Sequence, residues 1–251
     1  MQAPLGIVGQ GVALAIFPAL TALAARNEWS ALRTTLRQGL RLVWFLTAPA
    51  TVLLIVLAED ISRVLLQYGK FTPTDTQMVA SALRAFALGL FAWSGQALIA
   101  RGFFALRDSL TPVLIGSLVT LLFVPLCLFL MRGLGTGHVG LALATSIAAT
   151  AQMFWMLQIL NRRIPCAGNS DSPPLTGFLL RTGGAAMLMG VAAYGIHTGL
   201  HTLLPAFQVN LKSLVVSALT ASVAMGVYIA LCQRLGVRET DYLRRVFTRG
   251  R

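Results

Sequence analysis

Apolar residues along the chain come in seven long runs, at about 4–23, 40–58, 79–100, 112–131, 137–160, 176–200 and 212–233, divided by polar stretches. A helix of roughly 20 residues spans roughly 30 Å, the hydrocarbon thickness of a bilayer. None of the runs alternates with period two as barrel strands do. Helices also keep every backbone hydrogen bond inside the segment, as lipid requires. The pattern predicts an all-α integral membrane protein with about seven transmembrane helices. Pro18, Pro49 and Pro125 fall inside runs and predict kinks.

Composition agrees with the pattern. Of 251 residues, 56% are hydrophobic and 11% charged, against about 25% charged in a soluble domain. The net charge of +12 has an uneven distribution. Fifteen of the 20 Lys and Arg lie on the first, third and fifth loops and the C-terminal tail, leaving Arg63, Lys70, Arg84, Arg132 and Lys212 for the opposite side. By the positive-inside rule the N-terminus is outside, the C-terminus is cytoplasmic, and residues 24–39, 101–111 and 161–175 are inside. The basic charge then reads as a topology signal, and no nucleic-acid partner is expected. No Lys or Arg precedes Arg26, so 1–24 reads as a helix in preference to a signal peptide. An odd helix count with an external N-terminus suggests a chain that continues something larger.

The stretch NRRIPCAGNSDSPPLTG is the one clear composition shift. It divides the chain into five helices over 1–160, a cytoplasmic linker over 161–175, a two-helix hairpin over 176–234 and a basic tail over 235–251. In the first loop Leu32, Leu36 and Leu40 recur at spacing four beside Arg33, Arg37 and Arg41. With Trp29 as anchor, this predicts an amphipathic helix in the headgroup layer or an inside-positive loop that is helical, and the two are compatible.

Enzyme signatures are scarce, so a transporter is favoured over catalysis. Cys127, Cys166 and Cys232 lack metal-ligand spacing. His197 and His201, at i and i+4, could place two ligands on one helix face, but no adjacent Glu follows; interfacial polar residues are the favoured reading and no metal is expected. All eight acidic residues lie outside the apolar centres, which disfavours intramembrane hydrolysis. Arg84, about a turn into the third run, is either a functional charge or a snorkelling one. Gln96 lies deeper in the same run. Thr145 and Gln152, seven apart with Ser146 and Thr150 adjoining, form a polar stripe that glues helices or lines a pathway. Small residues at Gly11–Ala15 and Ala218–Ser222–Gly226 predict close helix contact.

The junction GFFALRDSLTP resembles the aromatic–basic–Asp–x–x–Thr-Pro hinge of the MurJ/MviN family of lipid II flippases, within the wider exporter superfamily. APLGIVGQGVALAIFPALTALAA resembles that family's Pro-x-Gly…Ala…Pro-x-Leu helix, and LLQYGKFT its Leu-Phe-x-x-Gly-x-Phe-Thr loop. TPVLI opens the next helix as expected. These stretches run in order across 1–113; the later helices agree in pattern alone.

The resemblance implies helices 8–14 of a fourteen-helix transporter in the bacterial inner membrane. Such a chain helps move a lipid-linked peptidoglycan precursor by alternating access, in cell-wall biogenesis. Its partners are then lipid II, membrane lipids and the missing N-terminal lobe. The alternatives are an exporter of another polyprenyl-linked sugar or a drug, or a truncated non-transporting subunit. The pathway candidates are Arg84, Gln96, Arg101, Arg107, Thr145 and Gln152, with topology charge the competing reading of Arg101 and Arg107. The hinge comprises Phe103, Phe104, Asp108, Thr111 and Pro112. Phe103 and Phe104 are expected in the membrane interface, Arg107 and Asp108 wet and paired, and Thr111 as cap with Pro112 at the first helical position. Some members of the family hold a cation in this lobe. The helix matching 112–131 here offers only Ser117, Thr120 and Cys127, so neither that cation site nor any cofactor is expected.

Overall fold

A computed structural model describes residues 5–133, 135, 137–165, 175–203 and 209–237. Among them the chain is helical, with short turns. After a π-helical turn at Leu5–Gln10 come α1 (Gly11–Ala25), α2 (Trp29–Val56), α3 (Ala58–Leu66), α4 (Pro73–Ala87) and α5 (Leu90–Ala105). Then follow α6 (Leu110–Leu128), extended by a π-helical turn at Phe129–Gly133, α7 (Gly137–Arg163), α8 (Leu175–Leu203) and α9 (Val209–Arg234). Most of the linker with Cys166, and the tail from 238 with five of its basic residues, lie outside the described residues.

All seven apolar runs fall on helices. Five segments are long and apolar enough to cross a bilayer: Trp29–Val56, Leu110–Gly133, Gly137–Arg163, Gly177–Thr202 and Lys212–Arg234. The pair α4–α5 makes a sixth as one broken span, and α1 is a shorter apolar helix. Leucines point outward in long stripes; Leu110 is 73% exposed, Leu121 71% and Leu180 77%. Apolar faces this continuous need hydrocarbon around them.

The helices form two compact units, one from 1–47 with 85–174 and the other from 48–84 with 175–251. Residues 48–84, which the linear reading groups with the first five helices, thus pack with the C-terminal pair. In the first unit a core of Leu20, Leu32, Val43, Leu98, Phe103, Met153 and Leu160, among others, joins α1, α2, α5, α6 and α7. Glycines set its spacing. A Cβ at Gly89 would lie 3.1 Å from the Ser146 Cα, one at Gly95 2.6 Å from the Met153 sulfur, and one at Gly102 2.9 Å from Leu160. The partners on α7 recur every seven residues and rise with those on α5, so the two helices run parallel, as third and fifth spans must. Gly39, on α2, would meet Leu98 at 2.7 Å.

Two expectations are corrected here. Leu32, Leu36 and Leu40 are buried in this core, and their helix continues unbroken into the second apolar run as α2. A period-four leucine row fits a protein core as well as a headgroup layer, and here the core takes it. Arg33 accompanies it, its guanidinium donating to the carbonyls of Asn161 and Ile164 at 3.2 Å; a cation there meets the orphan carbonyls at the end of α7. Nor do the spacing-four small residues make the close contacts. A Cβ on Gly11 or Gly226 would meet open space.

Candidate functional site

A span packed wholly by leucine needs no amides, yet α5 and α7 present theirs to the same cleft. It holds about 350 Å³ and is lined by Gln10, Trp93, Gln96, Ala97, Ala100, Pro112, Gln152 and Met156. A second cleft of about 240 Å³ shares Trp93 and Gln152 and adds Thr120, Phe123 and Thr145. The Gln96 amide donates to the Ala149 carbonyl at 2.7 Å, which ties α5 to α7 and fixes the side chain at the cleft wall. On the polar stripe of α7 the two roles separate. Ser146 is buried and donates to the Ala85 carbonyl at 2.8 Å, which is glue; Thr145 and Gln152 line clefts. Among the described residues no charged side chain lines either cleft. The chemistry on offer is amide and hydroxyl hydrogen bonding beside an indole face, suited to neutral polar groups such as sugar hydroxyls and peptide amides.

Gln10 and Trp93 escaped the sequence reading. Gln10 is polar in an otherwise apolar run, which is a usable signal, whereas nothing marked Trp93.

The hinge sits between α5 and α6. Arg107 has φ +58°; the Arg107 N–H donates to the Phe104 carbonyl and the Asp108 N–H to the Phe103 carbonyl, both at 3.0 Å. This is the Schellman closure of a helix, with Arg107 in the left-handed position that glycine most often takes. Asp108 then accepts from the Thr111 N–H at 3.0 Å and pairs with Arg163, whose other nitrogen donates to the Thr111 hydroxyl at 3.0 Å. The expected pairing of Asp108 with Arg107 is therefore corrected: the left-handed turn separates neighbours, and α7 supplies the cation. The cap is corrected too, since the Asp108 carboxylate and not the Thr111 side chain receives the helix N–H. Phe103 is fully buried, contrary to its expected place in the interface, while Phe104 is exposed. Arg101 lies 5.5 Å from the Phe17 ring and 5.8 Å from the Phe104 ring, within cation–π range.

Desolvation raises the Asp108 pKa, but hydrogen bonds from Thr111 and the Arg163 charge outweigh it and hold the carboxyl below its ordinary range. A depressed carboxylate contributes its stability above the unfolded pKa and loses it as pH falls through the folded one. The contribution is thus complete at neutral pH. Asp108→Ala should cost about 1 kcal/mol, the usual value of a helix cap, read as a lowered melting temperature of the purified chain. Arg107→Gly should be close to neutral, because glycine suits the same backbone.

In the second unit Arg84 is exposed and its Nε donates to the Ile55 carbonyl at 3.3 Å, in the last turn of α2. This contact caps a helix end. A different cluster stands out there. Asp60, 2% exposed, accepts from His197 at 2.7 Å and His201 at 3.1 Å through Oδ2, and from Arg63 at 3.3 Å through Oδ1. The histidine pair was visible in sequence, but its acidic partner lies 137 and 141 residues away.

The family model described as "Lipid II flippase MurJ" matches residues 1–215. A probable lipid II flippase MurJ from Vibrio cholerae is 30% identical over 245 residues, covering 96% of this chain and 45% of that protein. One from Rhizobium meliloti is 29% identical over 250 residues, covering 99% and 46%. The solved structure of a lipid II flippase MurJ in an inward closed conformation superimposes with TM-score 0.67 at 22% identity, covering 91% of this chain and 45% of that one. The chain spans about half the length of the curated relatives it matches.

Proposed function

The chain belongs to the lipid II flippase MurJ family, and from that premise we propose that it supplies one side of the path by which lipid II crosses the bacterial inner membrane. The observation that carries the proposal is the uncharged amide-lined cleft of the first unit. Gln10, Gln96, Gln152 and Thr145 offer donors and acceptors, and Trp93 an aromatic face. A pyrophosphate–sugar–peptide headgroup carries hydroxyls and amides of matching chemistry. Inside a membrane such contacts replace water as the headgroup passes.

In this proposal an N-terminal lobe completes the path, and alternating access exposes the cleft to each side in turn. No covalent step is involved. The basic ends of α2, α5 and α7 face the cytoplasm, where Arg33 and Arg163 bind carbonyls and a carboxylate at the helix termini. Arg101 and Arg107 lie at the same end, as an entry for the pyrophosphate.

Growth of a strain depleted of its own flippase tests the reading. This chain together with a separately expressed N-terminal lobe from a relative should restore growth, and that lobe alone should not. Failure of the pair, with both halves in the membrane at normal abundance, would overturn the proposal.

A further inference from the structure

Three ligand-bearing side chains meet in the second unit. His197 and His201 lie one turn apart on α8, with ring centroids 4.6 Å apart. Both Nε2 atoms point at a single oxygen of Asp60 on α3, at 2.7 and 3.1 Å. A carboxylate oxygen carries no proton, so each imidazole donates its own. Replacing those two protons by one cation keeps the same atoms in contact.

We propose that Asp60, His197 and His201 bind one divalent transition-metal ion of the zinc class, which clamps α3 to α8. The three ligand atoms lie within 4.8 Å of one another. Zinc bonds of about 2.0–2.2 Å to nitrogen and oxygen place tetrahedral ligands roughly 3.3 Å apart. The two Asp60–imidazole separations, 2.7 and 3.1 Å, therefore widen by a few tenths of an ångström to admit the ion, while the two imidazole ligand atoms, within 4.8 Å of each other, draw together. Two imidazoles and one carboxylate suit zinc, cobalt or nickel in preference to magnesium or calcium, which take mostly oxygen.

The surroundings hold the carboxylate in place. Arg63 binds its other oxygen at 3.3 Å, leans on Ser213 at 3.3 Å and is offset by Glu59 at 2.8 Å. Such outer contacts orient a metal-binding carboxylate. Lys212 donates to the His201 backbone carbonyl at 2.8 Å, leaving the imidazole free of it. The Asp60 side chain is 2% exposed and the imidazoles 21% and 27%, so the open coordination positions lie on the histidine side, where water completes the shell. Sequence alone presents only the i, i+4 pair. The inference is independent of lipid II transport.

The test uses the full chain in detergent, without a polyhistidine tag, stripped by chelator and titrated with Co²⁺. One equivalent should bind and give visible absorption of a low-symmetry cobalt site, which Zn²⁺ bleaches by displacement. His138→Ala, the chain's remaining histidine, should bind unchanged. His197→Gln and His201→Gln should each weaken binding at least tenfold. Zn²⁺ should raise the melting temperature of the unaltered chain and of His138→Ala. No saturable equivalent in the unaltered chain overturns the proposal, as does equal affinity in both glutamine variants. Should those variants fail to fold, the unaltered chain and His138→Ala still decide: loss of binding with His138→Ala would place the ion elsewhere.

Discussion

Replacing Gln96 and Gln152 together by leucine is expected to lower lipid II export by about a hundredfold while leaving membrane abundance within about twofold. Each amide removed from a polar headgroup contact leaves a partner unsatisfied, at about 1–3 kcal/mol, or roughly five- to 150-fold per site. The structural cost is smaller. Gln96 makes one interhelical bond, to the Ala149 carbonyl, and such bonds in membranes average about 0.6 kcal/mol. Leucine keeps most of the volume and suits the helix. The Gln152 side chain takes part in no hydrogen bond among the described residues, so Gln152→Leu alone should preserve folding and still impair transport. Export is read in the depleted strain carrying both halves, with abundance by immunoblot. Full export by the double variant would remove the cleft from the path.

Asp60→Ala should be the most destabilising single change outside the helix contacts, by roughly 2–4 kcal/mol. Deleting one partner of a buried ion pair typically costs about 3–5 kcal/mol, because the remaining charge is left without compensation. Arg63 and the two imidazoles are about a fifth to a quarter exposed, and water recovers part of that loss. Glu59 still binds Arg63 at 2.8 Å and limits it further. The measurement is the melting temperature of the purified chain in chelator, so that no metal contributes. A change under about 1 °C would show that the cluster does not hold α3 in place.

Hydropathy located every long helix, because lipid forces apolar residues into uninterrupted runs whatever their partners. It did not separate α2 from the interfacial helix expected before it. Leu32, Leu36 and Leu40 carry the same period in either setting, and only their neighbours decide. The hinge was legible as a motif, but its bonding was not. Arg107 and Asp108 are adjacent in sequence, whereas the cation that Asp108 binds arrives from α7. Gln96, Thr145 and Gln152 were singled out by polarity; that two helices bring them to adjoining clefts with Gln10 and Trp93 is a tertiary fact. Asp60 was hidden for the same reason, since its histidines lie far along the chain.

The central claim is that this chain forms part of a lipid II path, and the leaflet distribution of lipid II tests it most directly. In spheroplasts depleted of their own flippase, a membrane-impermeant lipid II-binding probe reports the fraction exposed outside. With this chain and an N-terminal lobe both present, that fraction should return to the undepleted level, and with the lobe alone it should stay at background. Lipid II confined to the inner leaflet with both halves present at normal abundance would contradict the account.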